Sequence, residues 1–172
     1  MNIRLVLFLF LIFFACVPNG EKASFIDETG EEVIPIKYDR ASLYFSEGLA
    51  CVRLNGKYGY VDETGEEVIP IKYDKASLYF LEGLACVVLN GKWGFIDKTG
   101  KEVVPIKYDE AWSFIDGLAP VKLNGKYGFI DKTGKEVIPL KYDYADDFSE
   151  GLAKVNLNGE RFYINKKGER VK

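Results

Sequence analysis

Residues 58–74 read YGYVDETGEEVIPIKYD, and the stretch returns as WGFIDKTGKEVVPIKYD at 93–109 and as YGFIDKTGKEVIPLKYD at 127–143. One turn glycine marks each copy, and successive copies are 35, 35, 34 and 34 residues apart: Gly30, Gly65, Gly100, Gly134 and Gly168. A unit this short cannot bury its own apolar face, so neighbouring units must stack on it. The chain is therefore a tandem repeat that fills residues 24–172.

Three short strands are predicted in each repeat. In one copy, Leu118–Leu123 alternates in polarity, Asn124-Gly125 suits a two-residue hairpin turn, and residues 127–131 pair back. A turn then leads into Glu136–Pro139, and proline ends that strand. The segment 141–150 lacks alternation and is predicted to be a connector with a helical turn.

The order of these strands predicts an all-β fold, in which three-stranded β-hairpin repeats of 34–35 residues stack in an open array. A closed, propeller-like ring is the alternative. The repeat motif decays at both ends, to Ala23-Ser24 and to Arg161-Phe162. Such decay is typical of terminal caps and favours the open array.

The first strand of each repeat has one constant and one variable face. The constant face is apolar in every copy and is predicted to form the shared core. The variable face includes Cys51 and Cys86 and is expected to meet solvent at least in part. A disulfide between them needs Cα atoms closer than about 7 Å. Equivalent strands of successive units lie well beyond one strand spacing of about 4.8 Å, so two unpaired thiols are preferred.

The N-terminal segment is predicted to be an export signal. Its apolar run from Leu5 to Val17 is shorter than the roughly 20 residues that span a bilayer, and Pro18 ends it. Phe13-Phe14-Ala15-Cys16 resembles the lipobox of bacterial lipoproteins, although leucine is usual where Phe13 stands. The resemblance implies a signal peptide at 1–15 and lipidation of Cys16, with a short linker to residue 23. The chain would then be a membrane-anchored lipoprotein of the bacterial cell envelope, or alternatively a secreted protein.

Composition argues against several classes of function. The chain has no histidine, which excludes Ser-His-Asp sites and metal sites that depend on imidazole; no metal and no cofactor is predicted. The net charge is −3, and the basic side chains are interleaved with acidic ones rather than concentrated in one region, so nucleic acid is not expected as a partner. Four aspartates recur at equivalent positions and are predicted to cap turns rather than catalyse: Asp97, Asp109, Asp131 and Asp143.

The connectors differ most between copies and offer candidate binding residues. Tyr44, Tyr79 and Trp112 do not recur in every repeat. Flat aromatic rings stack on sugars and anchor protein contacts, so these three are the predicted binding residues. Packing against the next repeat is the alternative for each. The turn tips also change from Glu-rich in early copies to Lys-rich in later ones, which predicts an electrostatic asymmetry along the array.

The stretch from Asn90 to Val121 resembles the WG, or KWG, repeat of bacterial proteins, with Lys92-Trp93-Gly94 as its core. Tyrosine replaces the tryptophan at Tyr58 and Tyr127. The resemblance covers residues 24–172, as four copies and a C-terminal cap fragment. It implies an all-β repeat region, often exported and lipid-anchored, with no agreed chemistry.

These observations predict a protein that is not an enzyme. The expected function is an envelope-anchored binding or scaffold module that contacts a protein or glycan, with the membrane reached through the N-terminal lipid. One alternative is a glycan hydrolase that depends on carboxylates alone. Another is a structural spacer in the envelope.

Overall fold

The computed structural model describes the backbone of residues 13–14, 23–26, 32–42 and 44–171, and side chains from residue 37 onward except residues 43 and 172. This part of the chain contains strands and turns but no helix. The strands are β1 Phe13–Phe14, β2 Ala23–Ile26, β3 Glu32–Tyr38, β4 Arg40–Ala41, β5 Leu49–Leu54, β6 Lys57–Asp62, β7 Glu67–Tyr73, β8 Lys75–Ala76, β9 Leu84–Leu89, β10 Lys92–Asp97, β11 Glu102–Tyr108, β12 Glu110–Ala111, β13 Leu118–Leu123, β14 Lys126–Asp131, β15 Glu136–Tyr142, β16 Tyr144–Ala145, β17 Leu152–Leu157, β18 Glu160–Asn165 and β19 Arg170–Val171.

The strands form five antiparallel sheets in chain order. Sheet 1 holds β1–β3, and sheets 2, 3, 4 and 5 hold β4–β7, β8–β11, β12–β15 and β16–β19. The tandem all-β repeat is thus confirmed, and none of the described sheets closes on itself, as expected of an open array. Strand β1 falls within the predicted signal peptide, most of which lies outside the described residues together with Cys16 and the linker up to residue 22.

Each of the last four sheets contains one strand more than the sequence predicted. The extra strand has two residues, such as β16, and comes from the connector. The connector then returns through an isolated bridge between Ser149 and Leu152. The predicted helical turn in this connector is therefore wrong. The backbone amides from 143 to 146 instead bond to the next hairpin, where Asp143 N–H donates to Asn156 O and Asp146 N–H to Lys154 O.

The predicted turns are confirmed in detail. Asn124 and Gly125 have φ angles of 52° and 79°, the left-handed pair that a two-residue hairpin turn of type I′ requires. The carboxylate of Asp131 accepts hydrogen bonds from the backbone N–H groups of Thr133 (2.9 Å) and Lys135 (3.1 Å). The recurring aspartate at this position therefore closes the turn that follows β14, as the sequence indicated.

The core lies between successive sheets. Between sheets 3 and 4, Cys86, Phe95 and Val104 pack on Ala119, Val121 and Ile130, and these side chains form one buried cluster. Each inner sheet is therefore apolar on both faces. The expectation that this face meets solvent is wrong for Cys51 and Cys86, because the next sheet covers them, whereas Lys154 at the equivalent position of sheet 5 is exposed. Both thiols are free, and burial raises the pKa of each to about 12.

Carboxylates and lysines at the sheet edges join neighbouring repeats. Each of three lysines at a turn tip pairs with an acidic residue from the loop of the preceding repeat. The pairs are Lys98 with Glu47 (3.3 Å), Lys132 with Glu82 (2.8 Å) and Lys166 with Asp116 (3.3 Å). One lysine at each of these three turn tips, which were predicted as one pole of an electrostatic asymmetry, is thus engaged in an ion pair along the array.

Candidate functional site

The connectors between sheets carry most of the exposed large apolar side chains. The three predicted binding residues are among them: Tyr44 is 65% exposed, Tyr79 41% and Trp112 37%. The other exposed large apolar residues in the described connectors are Leu78, Leu81, Ile115 and Tyr144. Exposed side chains of this kind are typical of interaction surfaces when they lie together. A role of the three aromatics in binding stays a prediction.

A cleft of about 480 Å³ opens between sheets 3 and 4. We call it the Trp cleft. Its lining includes Lys75, Ser77 and Trp93 from sheet 3 and its connector, and Glu110, Trp112 and Ser113 from sheet 4 and its connector. Both tryptophans of the chain thus line one cleft. The residues that line it do not include Tyr44 or Tyr79.

The register of sheet 3 places the first wall of the Trp cleft. Lys75 of β8 lies opposite Val88 of β9, and Val88 lies opposite Trp93 of β10. These three side chains therefore form one row across the sheet, on the face turned to sheet 4. The ammonium nitrogen of Lys75 lies 5.9 Å from the centroid of the Trp93 ring. The second wall is the connector that carries Trp112.

The equivalent cleft between sheets 2 and 3 is smaller, about 220 Å³. We call it the Arg cleft, and it is lined by Arg40, Arg53, Tyr58 and Leu78, among others. The guanidinium of Arg53 lies 5.6 Å from the centroid of the Tyr58 ring. Its Nε atom is buried and has no hydrogen-bond partner within the described part of the chain.

The equivalent row of sheet 4, Glu110, Lys122 and Tyr127, makes contacts within itself. Glu110 accepts hydrogen bonds from Lys122 Nζ at 2.9 Å and from the Tyr127 hydroxyl at 2.7 Å. The bond from Tyr127, followed by that from Lys122, lowers the pKa of Glu110. The Tyr127 ring lies between those of Trp112 and Tyr144, with centroids 5.6 and 5.9 Å away. This row satisfies its own charges and hydrogen bonds.

The four carboxylates considered for glycan hydrolysis all have a lowered pKa. The largest cause is a hydrogen bond from a threonine hydroxyl in Asp97 and Asp131 and from a lysine in Asp109 and Asp143. Such carboxylates are ionised at neutral pH and are poor general acids. Asp147 was not among these four, and burial and the neighbouring Asp146 raise its pKa. No pattern in the sequence separates Asp147 from the other connector residues.

Among the described residues, no group of three or more Cys, Asp or Glu side chains is arranged to hold a metal ion. The same residues include no helix long and apolar enough to cross a membrane.

Sequence reasoning found one side of the Trp cleft and missed the other. It selected Trp112 because the connector varies, but treated Trp93 only as part of the repeat motif and did not consider Lys75 or Glu110. A usable signal was present. The hairpin turn Asn90-Gly91 fixes Trp93 opposite Val88, so the row could be extended across the sheet once the connector was recognised as a strand.

Comparison with known proteins gives one informative match. A family profile described as "WG containing repeat" matches residues 24–58, 58–93, 93–127 and 127–160. No curated protein matches the sequence. The fold is similar to a solved structure described as "KlHsv2 with loop 6CD replaced by a Gly-Ser linker", with 6% identity and a TM-score of 0.47. The similarity covers 73% of this chain and 47% of that one, so the chain spans about half the length of that structure.

Proposed function

The chain belongs to the WG containing repeat family, and on that premise we propose that it is a non-catalytic binding or scaffold module of the cell envelope. Its partner is a protein or a glycan, bound along the exposed connectors of successive repeats. Repeat arrays suit this function because each unit presents the same position with a different side chain.

The Trp cleft is the observation that carries the proposal. It brings two large aromatic side chains together with Lys75, Glu110, Ser77 and Ser113 at an open surface. An apolar cleft with a few polar groups is the usual form of a ligand site. Tryptophan is also enriched among the residues that dominate binding energy at protein interfaces.

Anchoring through Cys16 is part of the same proposal. It rests on the apolar run and the lipobox-like sequence that precede the repeats. Labelling of the cells with an alkyne-palmitate, followed by membrane fractionation, tests it. Cys16→Ser is expected to lose both the label and the membrane association. Retention of both by this variant would contradict lipidation at Cys16.

In-cell crosslinking and pull-down of the tagged full-length protein tests the binding function. Trp112→Ala is expected to lose a partner that the unaltered chain captures. Tyr163→Ala is the matched control, because Tyr163 is an exposed aromatic residue on sheet 5 that does not line the Trp cleft. If Trp112→Ala and the control capture the same molecules in the same amounts, the Trp cleft is not the binding surface.

Glycan hydrolysis is the second candidate, and the raised pKa of Asp147 is the observation that favours it. A carboxyl whose pKa is raised by burial is closer to what a general acid needs than one whose pKa is lowered. Asp147→Asn would then abolish release of reducing ends from an envelope glycan while glycan binding persists. Unchanged release by this variant would rule out the role.

An envelope spacer, the third candidate, would tolerate deletion of a whole repeat.

A further inference from the structure

We propose that the Trp cleft and the Arg cleft together bind an acidic polysaccharide, with each cleft offering at least one aromatic ring and at least one cation that lacks an acidic partner among the described residues. The inference rests on the proposed binding function and names the chemistry of its ligand.

The cations of the two clefts are not neutralised by the protein. Among the described residues, no carboxylate lies within ion-pair distance of Arg40, Arg53 or Lys75, although eight other pairs form on the same surface. The Nε atom of Arg53 is also buried without a hydrogen-bond acceptor. Because Arg53 lines the Arg cleft, an anionic group bound there would supply its guanidinium with the charged partner that the described residues do not.

The equivalent row of sheet 4 shows what a neutralised cleft looks like. There Glu110 pairs with Lys122 at 2.9 Å, and the same glutamate accepts a bond from Tyr127. Glu110 also lines the Trp cleft, but both of its oxygens are already engaged. It therefore leaves the charge of Lys75 available to a ligand.

One cation in each cleft lies beside an aromatic ring. Arg53 lies over Tyr58 at 5.6 Å, and Lys75 over Trp93 at 5.9 Å. A flat ring offers an apolar face, and the cation next to it offers a charged hydrogen-bond donor. A pyranose ring with a carboxylate substituent presents the complementary pair, an apolar C–H face and an anion at its edge. An acidic peptide carries the anion without the flat apolar face, so the sugar acid is the better fit.

The two clefts occupy equivalent positions in successive repeats. Arg40 opposes Arg53, and Arg53 opposes Tyr58, in the register that Lys75, Val88 and Trp93 follow in the next sheet. Sheets packed face to face lie about 10 Å apart, so a repeating polymer can meet both clefts in series. Engaging both at once raises the apparent affinity above that of either cleft alone.

Binding of the full-length protein in mild detergent to three acidic oligosaccharides tests the inference. The probes are oligogalacturonate, oligomannuronate and heparin-derived oligosaccharides, measured by calorimetry. At least one is expected to bind, with affinity that falls as salt rises. The fully methyl-esterified form of oligogalacturonate is the matched neutral probe, and poly-glutamate is the polyanion that lacks sugar rings.

Two variants address the clefts separately. Lys75→Gln and Arg53→Gln are each expected to weaken binding about five- to tenfold, and the double variant by more than either. Lys75 is exposed, so its replacement should leave the melting temperature unchanged. Lys107→Gln is the matched control, because Lys107 lies 5.2 Å from the Tyr108 ring but lines neither cleft.

Three results would overturn the inference. These are absence of binding to all three acidic probes, equal binding of poly-glutamate, and equal loss of affinity in the control and the cleft variants. If the probes fail while the pull-down captures a protein in a Trp112-dependent manner, the proposed binding function stands and only the acidic-glycan inference falls. If both fail, the binding function falls as well.

Discussion

Sheets 4 and 5 place different residues at the same strand positions, and the difference follows from what covers each sheet. Phe129 of sheet 4 is 0% exposed and packs on Phe148 with ring centroids 4.8 Å apart. Tyr163, its equivalent in sheet 5, is 51% exposed. Pro120 is buried, whereas its equivalent Lys154 is exposed. Among the described residues no further sheet covers this face of sheet 5, so polar side chains replace the apolar ones.

The opposite face of sheet 5 is covered and keeps the pattern of the inner sheets. Ala153, Val155 and Ile164 are buried against sheet 4. One repeat can therefore be apolar on one face and polar on the other, which is how a terminal cap of a repeat array remains soluble. Covering by a neighbour, rather than the repeat motif itself, decides which residues occupy a face.

The largest expected effect comes from truncating the covered ring. Phe129→Ala is expected to lower the free energy of unfolding by about 3–5 kcal/mol, because it leaves a cavity between sheets 4 and 5. Tyr163→Ala should change it by no more than about 0.5 kcal/mol, since the ring is half in solvent. Chemical denaturation of both variants measures the two values. Similar losses at the two positions would show that the open face of sheet 5 is covered in solution.

A smaller effect is expected where Gly128 of sheet 4 corresponds to Phe162 of sheet 5. A Cβ at Gly128 would lie 2.5 Å from Ile138 O and 2.8 Å from Leu140 N, which are backbone atoms of β15 that cannot move aside cheaply. Gly128→Ala should therefore cost about 1–3 kcal/mol. At position 162 the partner strand β19 is only two residues long, and a side chain is already present.

The sign of the alanine–glycine difference distinguishes the two positions. Phe162→Ala should be more stable than Phe162→Gly by about 0.5–1 kcal/mol, because glycine loses more conformational freedom on folding. At position 128 glycine should be the more stable of the two. Thermal denaturation of Phe162→Ala, Phe162→Gly, Gly128→Ala and the unaltered protein checks both signs. A preference for alanine at position 128 would contradict the close approach of β15.

The smallest effect concerns acid stability. Asp143 accepts bonds from Lys126 Nζ (2.5 Å) and from the Asn158 N–H of sheet 5 (2.7 Å), so it joins two sheets, whereas Glu160 pairs with Arg170 inside sheet 5. The bond from Lys126 and then that from Asn158 lower the pKa of Asp143. Its stabilisation is present above the unfolded pKa near 3.9 and is lost as pH falls through the lower folded value.

Melting temperatures between pH 2 and 7 test this comparison. Asp143→Asn should lower the melting temperature slightly at pH 7 and flatten its fall below pH 4. Glu160→Gln should have less effect at pH 7, because it breaks a contact within one sheet. A larger loss from Glu160→Gln would contradict the role of Asp143 as a joint between sheets.

Much of the fold could be predicted from local pattern. The repeat length, the strand Leu118–Leu123, the Asn124-Gly125 turn and the cap by Asp131 all follow from residues close together in the chain. The two-residue strands could not be predicted, because a segment such as Tyr144–Ala145 is too short to show alternation and is extended only by pairing with β17. The same reason explains the wrong helical turn.

The candidate site could be predicted only in part. The exposure of Tyr44, Tyr79 and Trp112 followed from the variability of the connector, yet these residues do not share one cleft. Trp93 and Trp112 line one cleft because sheets 3 and 4 stack, and this cleft is formed by residues from two repeats. Side chains that look alike within one repeat, such as Tyr58, Trp93 and Tyr127, acquire different surroundings from the neighbouring sheet.

The repeat pattern alone established that this protein is an all-β tandem repeat, with its period, its turns and one core face, because hairpin turns and alternating polarity are properties of a few consecutive residues. Two features came only from the stacking of the sheets: the burial of Cys51 and Cys86, and the open cleft that Lys75 and Trp93 line. Those outcomes depend on which face the following sheet covers, and stacking between sheets is a contact between residues that lie about one repeat apart in the chain.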